Sequence, residues 1–207
     1  MTTTHPIGAG RQPGVVARFR VDVKLADRVA GAFIAAPRCQ RGSVVERAYA
    51  DLDHQAHRWF RLLTGDGCRR PTRVVFTNSP EPYACADDLS ASVRDDRLLE
   101  MWPTQRDHDR RHPRLDTSVG GAYDRFRAVH DIVSHGWLRH AFDRDGEFSA
   151  WLAEDRIYTG IARWALATEL HGTHSATWTP DRQVDHKAAL LDRSLIAESQ
   201  RAARLAT

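Results

Sequence analysis

The chain of 207 residues is 42% apolar and 28% charged, with a formal net charge of +3. That balance suits one folded domain and excludes a disordered or fibrous chain. No run approaches ~20 apolar residues, so no membrane-spanning helix and no membrane partner are expected. The opening MTTTHPIGAGRQPG lacks a signal-peptide layout, which points to a cytoplasmic protein. All basic residues except Lys24 and Lys187 are arginines, and they alternate with acidic residues throughout. A mixed surface with no basic face or arm argues against a nucleic-acid partner. Cys39, Cys68 and Cys85 are too few and too scattered for a disulfide framework and read as reduced thiols.

Residues 1–14 show no periodicity and are expected to form a flexible tail, leaving 15–207 as a single metal-binding catalytic domain. Arg18–Lys24 alternates like a strand, and Leu25–Ala36 suits a short helix. Ser43 with Glu46 spells a capping box. Behind it Val45, Ala48, Leu52, Ala56, Trp59, Phe60 and Leu63 recur with helical period, so a helix should stop at Gly65 or Gly67. Arg73–Thr77 and Leu98–Trp102 read as strands, separated by a short helix that Asp87 or Asp88 would cap. Residues 103–121 form a long polar loop. Four helices should follow: Ala122–His135, one capped by Asp145, Tyr158–Leu170 closed by Gly172, and Asp181–Leu205. The expected fold is α+β and mainly helical, with a small two- or three-stranded sheet and a C-terminal helical bundle carrying the site.

The chemistry is concentrated in two segments. In Phe126–Gly136, His130 and His135 stand five apart in an apolar helix. In Trp164–Gly172, Glu169 extends the apolar face of Ile161 and Ala165, where a carboxylate must be paired, hydrogen-bonded or metal-bound. Two imidazoles and a carboxylate on one cavity make the facial triad that holds Fe(II) and leaves positions open. An i, i+5 pair lies ~140° apart on an α-helix. The pair therefore needs either a π-bulge or a frayed last turn at Gly136. The α-compatible pair is Asp131 and His135. The alternative is a hydrogen-bonded core histidine at His130 and a helix-end charge at His135.

The H-x4-H segment followed by a Glu on a W-A-L-A-T-E-L helix resembles the iron site of the aromatic amino acid hydroxylases. The resemblance implies His130, His135 and Glu169 as metal ligands. Asp131 and Ser134 stand where that family has Glu and Gly, and its pterin cofactor is not carried over. Residues 43–200 are also similar to an uncharacterised family of actinobacteria and their phages sharing F-R-A-V-H-D-x3-H, G-E-x2-A-W and T-E-x-x-G segments. That likeness points to Glu147, Tyr83 and Arg94.

Glu147 reads either as a first-turn acid facing a helix dipole or as a partner or fourth ligand at the metal. Asp131 can orient a neighbouring imidazole or pair with Arg127. His174 and His171, close to Glu169, suit ligand, substrate-binding or acid/base roles as well as cap roles. Asp53, His54 and His57 read as a solvated face, and His108 and His112 as loop surface. Trp137 and Trp178 are the expected pocket walls.

Together these features lead to the expectation of a mononuclear non-haem Fe(II) enzyme using O₂ on a small molecule, such as an amino acid or aromatic acid. In this reading Glu147, Asp131 and His174 are catalytic. Tyr83 and Arg94 bind substrate, and Arg94 or Arg127 clamps a substrate carboxylate. One rival is a His-Asp phosphohydrolase using zinc or manganese, with His57, His108 or His112 completing the site. The other is a non-catalytic binding or assembly protein in which His130 and Glu169 bond directly. A homodimer is compatible with either enzyme.

Overall fold

The computed structural model describes residues 18–65, 68–106, 111–179 and 184–205. The tail 1–14, Gly67, His108 and Asp181 lie outside them. The fold is α+β and mainly helical, with one two-stranded sheet among the described residues.

Helix α1 (Val23–Ala35) begins where Asp22 accepts a hydrogen bond from Leu25 N at 3.1 Å. It takes over the end of the segment that alternates like a strand, so the sheet has no third strand from that region. Helix α2 (Ser43–Thr64) ends at Gly65 as expected and buries Val45, Ala48, Tyr49, Leu52, Ala56 and Leu63 on one face. Its capping box does not form. Gly42 takes the N-cap position, Ser43 is already helical, and Glu46 faces Arg114 at 3.6 Å. His54 and His57 lie on the exposed face of α2.

Strands β1 (Arg73–Phe76) and β2 (Leu98–Met101) pair in parallel, Arg73 opposite Leu98 and Phe76 opposite Met101. A parallel pair needs a crossover. Helix α3 (Ala86–Ala91), with Asp87 and Asp88 in its first turn, and the π turn Ser92–Asp96 supply it.

Helix α4 (Ala122–His130) runs into a π segment, Asp131–Trp137. Helix α5 (Arg144–Glu154) is capped by Asp143, which accepts from Gly146 N at 2.8 Å. Asp145, the expected cap, instead accepts from Val21 N at 3.0 Å. Helix α6 (Ala162–Ala167) continues through a second π segment, Thr168–Gly172, directly into α7 (Thr173–Thr177). Gly172 therefore stops nothing. A Cβ there would stand 2.7 Å from Phe33 Cδ2, so the glycine lets this helix approach α1. The last helix is shorter than expected, α8 (Arg193–Leu205), because the chain before it runs extended past α1 and bonds Ala188 to Arg38 and Gln40.

The main core joins α2, α4, α5 and α6 through Leu52, Ala56, Phe126, Trp151 and Leu166. No described helix is long and apolar enough to cross a membrane.

Candidate metal centre

The π segment resolves the spacing of the two histidines. Widening the turn aligns residues five apart. His130 Nε2 and His135 Nε2 then lie 3.0 Å from each other, both side chains buried. The wide turn is wedged in place at Gly136. A Cβ there would meet Val93 Cγ1 at 2.7 Å, and Ser90 Oγ donates to the Gly136 carbonyl at 2.9 Å.

Each ring is oriented from behind. His135 Nδ1 lies 2.7 Å from the His140 carbonyl, which can only accept, so Nδ1 carries the proton and Nε2 presents a lone pair. His130 Nδ1 lies 2.6 Å from Glu154 Oε1, which also accepts from Ser134 Oγ at 2.7 Å. Imidazoles anchored at one nitrogen by a carbonyl and a buried carboxylate are the usual arrangement behind metal-binding histidines.

Two further groups approach these imidazoles from other helices. Glu147, on the first turn of α5, sets Oε2 3.4 Å from His130 Nε2 and Oε1 3.6 Å from His135 Nε2. His174, on α7, sets Nδ1 2.6 Å from Glu147 Oε2. Both Glu147 Oε2 and His174 Nδ1 are buried, and neither has an aligned hydrogen-bond partner among the described residues. A close approach without alignment is what two donors directed at one cation would show. Ligands ~2.1 Å from an ion and 90° apart are ~3.0 Å from each other, against ~3.4 Å for a tetrahedral pair. The spacing of the His130 and His135 nitrogens, 3.0 Å, fits the former, and that of His130 Nε2 and Glu147 Oε2, 3.4 Å, the latter.

The electrostatics agree with a site that gathers positive charge. Burial pulls His130 down, but Glu154 and Glu147 outweigh it and hold the imidazole well above its ordinary pKa. Burial would raise Glu147, yet His174 and His130 hold it well below the usual carboxylate range. His135 is lowered by burial and by His130 beside it. His140 is pushed down to about 4, first by burial and then by His135.

Within the described residues, the sets of ligand atoms lying within 4.8 Å of one another are His130–Asp131–His135 and His130–Glu147–His174. Glu169 joins neither. Its Oε1 accepts from Tyr49 Oη at 2.7 Å and faces His112 Nε2 at 3.1 Å. His112 Nδ1 accepts from Leu115 N at 2.8 Å and Arg114 N at 3.1 Å, so its Nε2 carries the proton and donates to Glu169. The hydrogen bonds expected of a non-catalytic protein are divided likewise: His130 bonds Glu154, and Glu169 bonds Tyr49 and His112.

A cavity of about 580 Å³ opens onto the cluster and is lined by His130, His135, Glu147 and His174 together with Glu169 and Asp131. That volume suits a small organic molecule. Arg127 lines it too, but its Nη1 donates to Trp102 O at 2.9 Å and Thr104 Oγ1 at 3.1 Å and lies 3.8 Å from Asp124. Tyr83 lines an adjoining recess of about 370 Å³, where its hydroxyl accepts from Glu100 N at 2.8 Å. Arg94 lies in the π turn Ser92–Asp96 and lines neither space. Trp178 is a wall of the cavity, whereas Trp137 is not.

His112, expected on the surface, is buried against Glu169, and His171 is buried in a stack on Trp151, with ring centroids 4.3 Å apart. Glu154, Tyr49 and His140 went unread in the sequence. Glu154 could have been found: it stands seven residues, two helical turns, after Glu147 and shares its face of α5. Tyr49 places a hydroxyl on the apolar stripe of α2, a weaker sign.

Compared with protein-family models, curated proteins and solved structures, the chain matches none.

Proposed function

We propose that the protein is a mononuclear non-haem Fe(II) enzyme that uses O₂ to oxidise a small molecule, with His130, His135, Glu147 and His174 as the metal-binding groups. The observation that carries this reading is a run of close approaches on one cavity wall: His130 Nε2 lies 3.0 Å from His135 Nε2, Glu147 lies 3.4 and 3.6 Å from those two nitrogens, and His174 Nδ1 lies 2.6 Å from Glu147 Oε2. Glu147 takes the carboxylate position expected for Glu169. Nitrogen-rich donors with one carboxylate would suit ferrous iron. The bound metal supplies the one-electron chemistry that O₂ needs. Glu154 and the His140 carbonyl hold the two π-segment imidazoles in their ligating tautomers. The balanced reaction converts a C–H bond to C–OH, one oxygen atom entering the product and the other leaving as water. Two electrons and two protons come from an external two-electron donor such as a reduced flavin or an ene-diol. We place this chemistry in the cytoplasm, where ferrous iron and the three free cysteines stay reduced.

The test is anaerobic reconstitution with Fe(II), followed by metal analysis and electron paramagnetic resonance after adding nitric oxide as an O₂ surrogate. One iron per chain and a high-spin iron–nitrosyl signal, both lost in His130→Ala, are expected. A protein that binds no iron, or whose His130→Ala variant matches wild type, overturns the reading.

Asp131 beside His130 and His135 favours one second reading, a metal-dependent phosphohydrolase. Its upstream histidine is not supplied by His57, which is exposed, or by His112, which bonds Glu169. Phosphate release from nucleotides with zinc or manganese, without O₂, would favour it.

A further inference from the structure

The cavity carries acidic groups beyond the His130–Glu147–His174 set. Among the described residues, three carboxylates line it, Asp131, Glu147 and Glu169, together with one arginine and the histidines His130, His135, His174 and His186. Glu147 belongs to the metal-binding cluster, and Arg127 is held by Trp102, Thr104 and Asp124. The adjoining recess shares Asp131 and Arg127 with the cavity and adds Glu81 and Glu100.

Two of these acids face the cavity with acceptor capacity to spare. Asp131 is partly exposed, lines both spaces, and lies within 4.8 Å of ring nitrogens of His130 and His135 without a hydrogen bond to them. Glu169 is only 3% exposed and has one oxygen, Oε2, with no partner among the described residues. Tyr49 and His112, which hold its Oε1, do not line the cavity, so they fix the carboxylate from behind. A carboxylate fixed in a water-poor wall projects a negative potential that solvent screens weakly. The remaining walls include the aromatic faces of Trp102, Phe126, Phe142 and Trp178. Aromatic faces attract organic cations as well as apolar bodies.

We propose that the cavity takes a small organic cation, a protonated amine on an aromatic or apolar body, with Asp131 as its direct contact and Glu169 as the fixed negative charge in the wall. The proposal deepens the oxygenase reading by naming its substrate class, and it replaces the carboxylate clamp by Arg94 or Arg127 expected from sequence.

The experiment titrates the metal-loaded full chain by calorimetry with three probes of matched shape: 2-phenylethylammonium, 2-phenylethanol and 3-phenylpropionate. The amine should bind at least tenfold tighter than the alcohol, and the carboxylate weakest of the three. Glu169→Gln and Asp131→Asn should each cut the amine preference about threefold or more, while Glu169→Gln keeps its metal. Equal binding of amine and alcohol by the wild type overturns the proposal, and that comparison needs no variant. So does a Glu169→Gln, Asp131→Asn double variant that folds and keeps the full preference, and so does loss of metal from Glu169→Gln, which would make Glu169 a ligand. Amine selectivity in a protein that takes up no iron supports the cation site and overturns the oxygenase reading, so the two can fail separately.

Discussion

Glu147 and Glu169 are carboxylates on the same cavity, from neighbouring helical elements, in opposite surroundings. Glu169 has one oxygen satisfied by a tyrosine hydroxyl and an imidazole N–H, both set behind the wall. Glu147 is crowded by three imidazoles, and its closest contact, 2.6 Å to His174, lacks hydrogen-bond alignment. A buried carboxylate is tolerated only when donors or cations offset its lost hydration. Glu169 has one oxygen held by donors that the fold itself provides and the other without a partner among the described residues, whereas Glu147 has imidazole nitrogens close to both oxygens without hydrogen-bond alignment. The contrast teaches that burial alone does not identify a ligand; what distinguishes the two acids is which neighbours crowd their oxygens.

The sharpest way to break this comparison is to exchange the fates of the two residues. Glu147→Ala should lower iron affinity by about 100-fold or more, while Glu169→Ala keeps one metal per chain. Elemental analysis after gel filtration decides it, and the reverse result would return Glu169 to the triad. Next in size, Glu154→Gln should weaken metal binding about 10- to 100-fold, since it disturbs the partner that orients His130. Competition with a chromogenic chelator measures this, and affinity equal to wild type would detach Glu154 from the site.

Tyr49→Phe probes the other pole. It removes a donor to Glu169 and should cost about 1–3 kcal/mol in urea unfolding, with metal content unchanged. A variant as stable as wild type would mean that His112 alone suffices.

The smallest effect concerns His171, a buried imidazole offset by neither acid nor ion. Burial, and after it the charges of His174 and Arg144, push its pKa down to about 3 from 6.5. The unfolded chain therefore takes up this proton first, and stability falls as pH drops below about 6.5 and continues to fall toward 3. Between pH 7 and 5 the loss from this group should be about 1–2 kcal/mol in chelator-treated protein. His171→Gln should flatten that slope, and an unchanged slope would assign the pH dependence elsewhere.

Much of the scaffold was legible because it rests on local periodicity. The apolar stripe of α2 and the two short strands fall where their patterns put them. Elements that misled did so where the deciding partner was distant. Asp145 looks like a cap but bonds Val21, and Gly172 looks like a stop but accommodates Phe33. At the site, His130 and His135 were readable as a pair because only a π turn or a frayed helix end could bring them together. Glu147 carried two readings, and nothing in its local sequence could rank them. His112, in a run of charged residues, was indistinguishable from surface.

By itself, the sequence determined the helical stripes, the strand segments and the presence of two imidazoles on one apolar stretch, since each follows from the spacing of neighbouring residues. Only the tertiary structure decided which carboxylate meets those imidazoles. Glu147 and Glu169 are both acids at the rim of apolar faces. The choice between them depends on how α5 and the α6–α7 segment pack against the widened turn after α4, a matter of long-range approach at Gly136 and Gly172 that leaves no periodic mark along the chain.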